Sequence, residues 1–174
     1  MTVPVTRRLI FLRHAKSAWP DVEDHSRPLA PRGRRDAPAA GRWLREARVA
    51  PDRVVCSTAL RTRQTWELVG PELGAQPAVV YDERLYDANV DEVLVVVRGV
   101  PDEVQTLLIV GHNPAMQDVT LTLAGDAVGD TRDQIRAAFP TSGIAVLSCP
   151  QPWSALTPGG ALLTAIAKPR GAKP

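Results

Sequence analysis

Short, continuous apolar runs recur along the chain and predict the strands of a buried sheet. The first run, Leu9–Leu12, ends in Arg13 and His14, which is typical of a central strand covered on both faces. Five further runs are rich in Val, Ile, Leu or Ala and are bounded by turn residues or by helical pattern: Arg53–Ser57, Pro77–Tyr81, Thr106–Gly111, Gly143–Cys149 and Ala161–Lys168. The pattern predicts that all six runs belong to one sheet.

Four segments between these strands carry apolar residues at helical spacing. Two of them show a single apolar stripe each: Ala37, Ala40, Leu44 and Ala47 in the first, and Ala59, Thr62, Trp66, Val69 and Leu73 in the second. The third predicted helix covers Val90–Val97, with Asn89 as its N-cap. The fourth opens at Asn113-Pro114 and ends near Gly125. Strands and helices therefore alternate along the chain.

This alternation predicts an α/β fold. The expected architecture is a single three-layer domain over residues 1–174, with a mostly parallel sheet, helices on both faces and an antiparallel edge hairpin that contains the last strand. The polar segment Asp126–Pro140 is the longest connection, and we expect it to border the functional site. We expect residues 1–6 and 169–174 to be flexible ends.

Composition narrows the class of protein. The 174 residues are 44% hydrophobic and 23% charged, as in an ordinary globular domain. A net charge of +2, without a basic run interleaved with aromatic residues, argues against a nucleic-acid partner. No apolar stretch is long enough for a membrane span or a signal peptide, and Cys56 and Cys149 lie in apolar runs as buried thiols. We expect a cytoplasmic protein, and the oligomeric state stays open.

Polar and charged residues follow three of the predicted strands. Arg13-His14 follows the first strand, Ser57–Arg61 the second and Gly111–Pro114 the fourth. In an open α/β sheet, ligands bind beyond the carboxyl ends of the strands, so we expect two imidazoles and two guanidiniums to converge there. Guanidiniums bind phosphate oxygens as a fork, and the helix starts at Thr58 and Asn113 favour anions. The sequence therefore predicts a phosphate site.

Two histidines in such a site have distinct roles. A neutral imidazole can attack phosphorus, while a second, protonated imidazole can donate a hydrogen bond to the charge that develops. Ser17 and Thr141-Ser142 either donate to the phosphate or only cap and turn the chain. His25 lies in a polar segment, and we interpret it as a surface loop residue outside the core site.

Four blocks of the chain resemble the histidine phosphatase superfamily, also called phosphoglycerate-mutase-like, in the family's order. They are Leu12-Arg13-His14-Ala15-Lys16-Ser17, Arg27-Pro28-Leu29 with Gly33, the segment Ser57–Thr65, and Val110-Gly111-His112-Asn113-Pro114. The short chain and the Arg-His-Ala-Lys-Ser form are similar to the SixA-type branch of phosphohistidine phosphatases. The resemblance implies that His14 is the phosphoryl acceptor and that Arg13, Arg61 and His112 complete the phosphate pocket, with Ser17 and Asn113 as further substrate contacts.

The resemblance also implies a general acid shortly after the third strand. The family usually has Glu there, whereas this chain has Asp87 after Leu85-Tyr86, with Glu83 and Asp82 as neighbouring alternatives. A second departure is Pro20 after Trp19, where larger relatives have an Asn.

The function expected from these observations is a phosphohydrolase that acts through a covalent phosphohistidine. Its substrate would be a phosphohistidine protein or a small phosphoester. The alternatives are a phosphoglycerate-type mutase and a non-catalytic phosphate-binding module. Three scattered histidines and no paired cysteine motif predict no metal site, and no nucleotide loop is present, so we expect no cofactor.

Overall fold

The computed structural model describes residues 6–174, so most of the N-terminal end expected to be flexible lies outside the described residues. Seven strands form the sheet: β1 (Arg7–Arg13), β2 (Arg53–Cys56), β3 (Ala78–Tyr81), β4 (Thr106–Gly111), β5 (Ala124–Ala127), β6 (Ile144–Cys149) and β7 (Ala161–Ala167). Five α-helices cover it: α1 (Pro31–Glu46), α2 (Leu60–Val69), α3 (Val90–Arg98), α4 (Ala115–Leu123) and α5 (Thr131–Ala137). The predicted α/β class is confirmed.

The strand order is β3-β2-β4-β1-β6-β7-β5. The strands from β3 to β1 are parallel to one another, whereas β6 runs antiparallel to both β1 and β7. The predicted β6–β7 hairpin is therefore present. It is not the last element of the sheet, because β5 pairs with β7 in parallel and takes that edge.

The middle of β1 is buried on both faces, which explains its continuous apolar run. Leu9 and Phe11 face a core shared with α3 and α4, and Ile10 and Leu12 face a second core shared with α1 and α2. All four side chains are inaccessible to solvent. The sheet is thus the middle layer of three, with helices on either side.

The segment Asp126–Pro140, expected to be a long polar connection, includes the end of β5 and the whole of α5. The strand β5 has two exposed residues and one half-buried residue among its four, and α5 buries only Ile135, so neither carries a clear apolar pattern. The segment does border the site, because the carbonyl oxygen of Phe139 accepts hydrogen bonds from Arg13 Nη1 and Asn113 Nδ2, both at 3.0 Å.

Parallel pairing brings the ends of β1, β2 and β4 together. Arg13 pairs with Gly111, and Cys56 pairs with Val110, so the residues that follow these strands share one edge of the sheet. Both cysteines are free and buried, as expected. Within residues 6–174, no helix is both long and apolar enough to cross a membrane.

Candidate active site

His14 is held at the end of β1 with one ring nitrogen already bonded. Its Nδ1 lies 2.7 Å from the carbonyl oxygen of Ala15, which can only accept, so the ring proton belongs on Nδ1. Among the described residues nothing bonds to Nε2. The backbone around the ring is fixed as well, because the N–H of Ser142 donates to the carbonyl oxygens of Arg13 and His14. Nε2 is therefore unprotonated, and its lone pair is free of any bond to the described residues.

Burial sets the charge of this imidazole. Only 6% of His14 is exposed, and the loss of hydration lowers its pKa to about 4. The hydrogen bond to Ala15 acts in the other direction, because it favours the cation. The positive charges of Arg61, Arg13 and Arg27 lower the pKa further. At neutral pH the ring is uncharged. A neutral imidazole with a free Nε2 is the form that can attack phosphorus.

His112 lies opposite, with its ring centroid 5.4 Å from that of His14. Burial, followed by the proximity of His14 and Arg61, lowers its pKa to about 3, so without an anion it is neutral. This differs from the protonated donor expected from the sequence. A neutral His112 still has one N–H to donate. Its Nε2 lies 2.8 Å from Ser57 Oγ, and if the Ser57 hydroxyl donates to Nε2, the ring proton is on Nδ1. That Nδ1 is buried and bonded to no described residue.

The two arginines also keep buried donors without a bond to the described residues. Arg13 Nη1 donates to Phe139, and both Nη atoms of Arg61 donate to Asp24, yet the Nε of each arginine has no partner there. Buried donors normally bond, because leaving one unpaired costs about 1–3 kcal/mol. Arg61 and His112 line one pocket, so the Arg61 Nε–H and the His112 Nδ1–H suit an oxyanion such as phosphate, and Arg13 holds a further buried donor of the same kind.

Asp24, which no sequence pattern indicated, connects Arg61 to Arg27 and Tyr86. Its carboxylate accepts hydrogen bonds from Tyr86 Oη at 2.6 Å and from Arg61 Nη2 and Arg27 Nε at 3.1 Å each. The Tyr86 bond is the main reason why the pKa of Asp24 falls to about 2, and Arg61 and Arg27 add to it. The partners lie up to 62 residues away, so no local pattern could have revealed the cluster.

His25 differs from its expected place on the surface. It is half-buried, its Nε2 lies 3.0 Å from Thr58 Oγ1, and its ring packs edge-on against Tyr86 at 4.8 Å. Tyr86 packs in turn against His112 at 5.6 Å. His25 therefore packs against Tyr86, which lines the pocket.

The three candidate acids occupy different positions. Asp87 lines the pocket and has a left-handed backbone with a φ of 57°. The Asp82 carboxylate accepts hydrogen bonds from Nε and Nη2 of Arg84, and this pairing lowers the pKa of the Asp82 carboxyl group. Glu83 is exposed in the turn between them. Of the three, only Asp87 lines the pocket.

Two of the other predicted contacts, Ser17 and Asn113, are bonded within the fold, whereas Ser142 is not. Ser17 Oγ accepts from Arg27 Nη1 at 3.2 Å, and Asn113 Oδ1 accepts from the Gln117 N–H at the start of α4. Ser142 is fully buried with a φ of 60°, and its Oγ has no described partner. Asn113 also lines the pocket.

The pocket itself is small, with a volume of about 130 Å³. Its walls come from four segments: Asp24, Arg61, Tyr86–Ala88 and His112–Ala115. A larger groove of about 650 Å³ lies at the opposite end of β1, beside Arg8 and Trp43, and holds none of the predicted site residues. The smaller pocket is the candidate site because Arg61, Asp87, His112 and Asn113 line it, whereas His14 and Arg13 lie beside it and not among its lining residues.

Known proteins match both this sequence and this fold. The family model of the histidine phosphatase superfamily (branch 1) matches residues 9–94. An uncharacterized protein of Mycobacterium tuberculosis is 46% identical over 162 residues, which is 91% of this chain and 100% of that protein. The solved structure of a candidate phosphohistidine phosphatase SixA from Nakamurella multipartitia is 38% identical, with a TM-score of 0.83 over 94% of this chain and 96% of that one. The chain belongs to the histidine phosphatase superfamily.

Within this superfamily the chain falls in the SixA-type branch. A second solved structure, of the protein histidine phosphatase SixA complexed with tungstate, is 25% identical, with a TM-score of 0.75 over 93% of this chain and 97% of that one. The resemblance seen in the four sequence blocks is thus confirmed. In this histidine phosphatase, no group of three His, Cys, Asp or Glu residues within 6–174 is arranged to hold a metal ion.

Proposed function

We propose that this protein hydrolyses phosphohistidine in a protein substrate by transferring the phosphoryl group to Nε2 of His14. The observation that carries the proposal is the state of that imidazole: it is neutral, its proton is held on Nδ1 by Ala15, and its Nε2 faces no internal partner among the described residues. Membership of a phosphatase family supports the general reaction.

The reaction proceeds in two transfers. In the first, Nε2 of His14 attacks phosphorus, and the bond from phosphorus to the donor breaks with its electron pair on the leaving atom. In the second, water attacks the phosphohistidine, the electron pair of the P–N bond returns to Nε2, and phosphate leaves. The Nε–H groups of Arg13 and Arg61 and the Nδ1–H of His112 stabilise the equatorial oxygens in both steps.

The size of the pocket supports a large substrate. A volume of about 130 Å³ holds a phosphoryl group but not a whole metabolite, since small-molecule sites span roughly 300–1,000 Å³. The rest of the donor would therefore lie outside this pocket, over the open surface or over a neighbouring cavity of about 360 Å³ that shares Ala88, Pro114 and Ala115 with it. The two SixA relatives are named as a phosphohistidine phosphatase and a protein histidine phosphatase. One of them is complexed with tungstate, which is an oxyanion like phosphate.

Metal independence and a cytoplasmic location remain predictions. The residues that we assign to the phosphate are donors and cations, which replace a metal as the counter-charge. Activity that persists after chelation with EDTA would support this part of the proposal.

The proposal is tested by assaying phosphate release in EDTA from a phosphohistidine peptide, p-nitrophenyl phosphate and an alkyl phosphate. We expect turnover of the phosphohistidine peptide and no turnover by His14→Ala. Isomerisation of a phosphoglycerate in place of phosphate release would identify a mutase. Binding of phosphate without turnover of any donor would identify a regulatory module.

A further inference from the structure

Asp24 places a negative charge at a pocket that otherwise attracts anions. Its side chain is 52% exposed and lines the pocket with Arg61 and His112. Three donors hold it there: the hydroxyl of Tyr86 and the guanidiniums of Arg61 and Arg27. Arg61 and Arg27 offset part of the charge of this carboxylate, and the remaining negative charge disfavours a second anion beside it.

The chemistry of Asp24 limits what that interaction is. With a pKa of about 2, the carboxylate stays ionised across the working range and has no proton to give to a leaving group. It is an acceptor only. A carboxylate offers about four lone-pair sites, and three are used here, two on Oδ2 and one on Oδ1. One site on Oδ1 is left for a donor from the substrate.

Arg61 fixes where that donor must lie. Both of its Nη atoms bond to Asp24, one to the carbonyl oxygen at 2.8 Å and one to the carboxylate at 3.1 Å, while its buried Nε has no described partner. A phosphoryl oxygen on Nε and the Asp24 carboxylate thus occupy two edges of one planar guanidinium. A leaving group that extends along this guanidinium would meet the carboxylate.

We propose that Asp24 selects the leaving group, by accepting a hydrogen bond from the protonated ring nitrogen of a phosphohistidine donor and so favouring P–N over P–O substrates. This inference rests on the proposed phosphatase function and adds to it a specificity-determining residue. A phosphate monoester has no cationic N–H at this position, so it meets the repulsion of Asp24 without the compensating bond.

The chemical step balances without any proton transfer. The donor imidazole carries phosphorus on one nitrogen and a proton on the other, and is therefore a cation. When Nε2 of His14 attacks, the P–N bond of the donor breaks and its electron pair stays on the donor nitrogen. The donor leaves as a neutral imidazole whose remaining N–H still points to Asp24. Without the protonated nitrogen the leaving group would be an imidazolate, which departs poorly.

Charges of both signs surround Asp24. The neighbouring titratable or charged groups are Arg27 and His25 on its own loop, Arg61 on α2, Tyr86 and Asp87 after β3, and His14 and His112 at the strand ends. His14 and His112 are neutral, and the two arginines are bonded to oxygen atoms of Asp24. The ring cation therefore gains a hydrogen bond to the carboxylate, while Arg27 and Arg61 keep their positive charges nearby.

The test compares Asp24→Asn with the wild type on a phosphohistidine peptide and on p-nitrophenyl phosphate. A hydrogen bond to a charged acceptor is worth roughly a tenfold to hundredfold change in rate, so kcat/KM on the peptide should fall by that factor relative to the aryl ester. Asp21→Asn is the matched control, because Asp21 is exposed on the same loop. We expect that control to keep the wild-type ratio.

A pH profile separates this role from a structural one. The peptide reacts through its ring cation, and Asp24 stabilises that cation in the bound complex, so the alkaline limb of kcat on the peptide should move to lower pH in Asp24→Asn. Equal losses on both donors with an unmoved limb would show that Asp24 only positions Arg61, which overturns the inference and leaves the phosphatase function intact. No wild-type turnover of either donor would overturn both.

Discussion

At the scale of single residues, burial determines what the site histidines can do. His14 and His112 are neutral because they have lost hydration next to arginines, not because a base removes their protons. The usual catalytic arrangement of a histidine with a carboxylate is replaced by a bond from Nδ1 to a backbone oxygen. The uncharged state of His14, the proposed nucleophile, is thus a property of the folded chain.

This state has a consequence for stability. The folded pKa of His14, about 4, lies below the usual 6.5, so between these values the unfolded chain binds a proton that the folded chain does not. Lowering the pH from 7 to 5 should therefore destabilise the fold, with His14 contributing on the order of 2 kcal/mol. Urea unfolding at both pH values should show a smaller loss for His14→Gln. His25→Gln, which keeps both buried histidines, should lose as much as the wild type; an unchanged loss in His14→Gln would contradict the assignment.

We expect Asp87 to donate a proton to the leaving group, whereas Asp24 only accepts a hydrogen bond from it. Asp87 lines the pocket at the position where the family resemblance implies a general acid, and an acid contributes about a hundred- to ten-thousandfold when the leaving group is poor. We expect Asp87→Asn to lose alkyl-phosphate cleavage and to spare phosphohistidine and p-nitrophenyl phosphate. The measurement is kcat/KM on the three donors. Equal losses on all three would refute this division between the two carboxylates.

At the scale of elements, α1 and the strand-end loop are packed backbone to backbone. A Cβ at Gly33, in the first turn of α1, would overlap the carbonyl oxygen of Lys16, two residues after His14. Gly33→Ala should therefore push the helix away from the loop, at a cost of about 1–3 kcal/mol in stability despite the better helix propensity of Ala. It should also lower kcat.

Gly99→Ala is the matched control for this experiment. Gly99 ends α3 with an ordinary φ of −84°, and a Cβ there would lie 3.6 Å from its nearest neighbours. Thermal unfolding and kcat should both stay near the wild type. A Gly33→Ala protein as stable and active as that control would show that the contact between α1 and the loop is unimportant.

The elements also show what the sequence pattern can and cannot predict. The N-cap Asn89 of α3 and the buried run of β1 are local signals, and both were predicted; the structure adds Glu92, which completes a capping box with Asn89. The strand β5 was missed because an edge strand of four residues with two exposed side chains has no apolar period. In the site, the histidines follow strands and so were predictable. Asp24 was not, because its role comes from contacts with Arg61 and Tyr86 on other elements.

At the scale of the whole molecule, the C-terminal segment contacts the region of the site. Arg170 Nη1 donates to the carbonyl oxygen of Thr141 at 3.0 Å, next to Ser142, and the Gly171 N–H donates to Asp36 Oδ1 at 3.0 Å. Asp36 is almost completely buried in α1. The expected flexibility of residues 169–174 stays a prediction, and these contacts provide the means to test it.

Shortening the chain after Lys168 removes both contacts and leaves the buried Asp36 with fewer donors. We expect a loss of roughly 1–3 kcal/mol in unfolding free energy, the usual cost of a buried acceptor left unpaired. A chain that ends at Ala172 keeps Arg170 and Gly171 and should match the full chain in urea unfolding. Equal stability of all three chains would show that the segment is free in solution.

The central claim is that His14 carries the phosphoryl group, and rapid chemical quench tests it most directly. Wild-type protein mixed with a phosphohistidine peptide labelled in the phosphoryl group, and stopped within one turnover, should yield labelled protein whose phosphate is lost in acid and retained in base. Mass spectrometry should place the label on the peptide that contains His14. Label on any other residue, or phosphate release at the wild-type rate by a well-folded His14→Ala protein, would contradict the account.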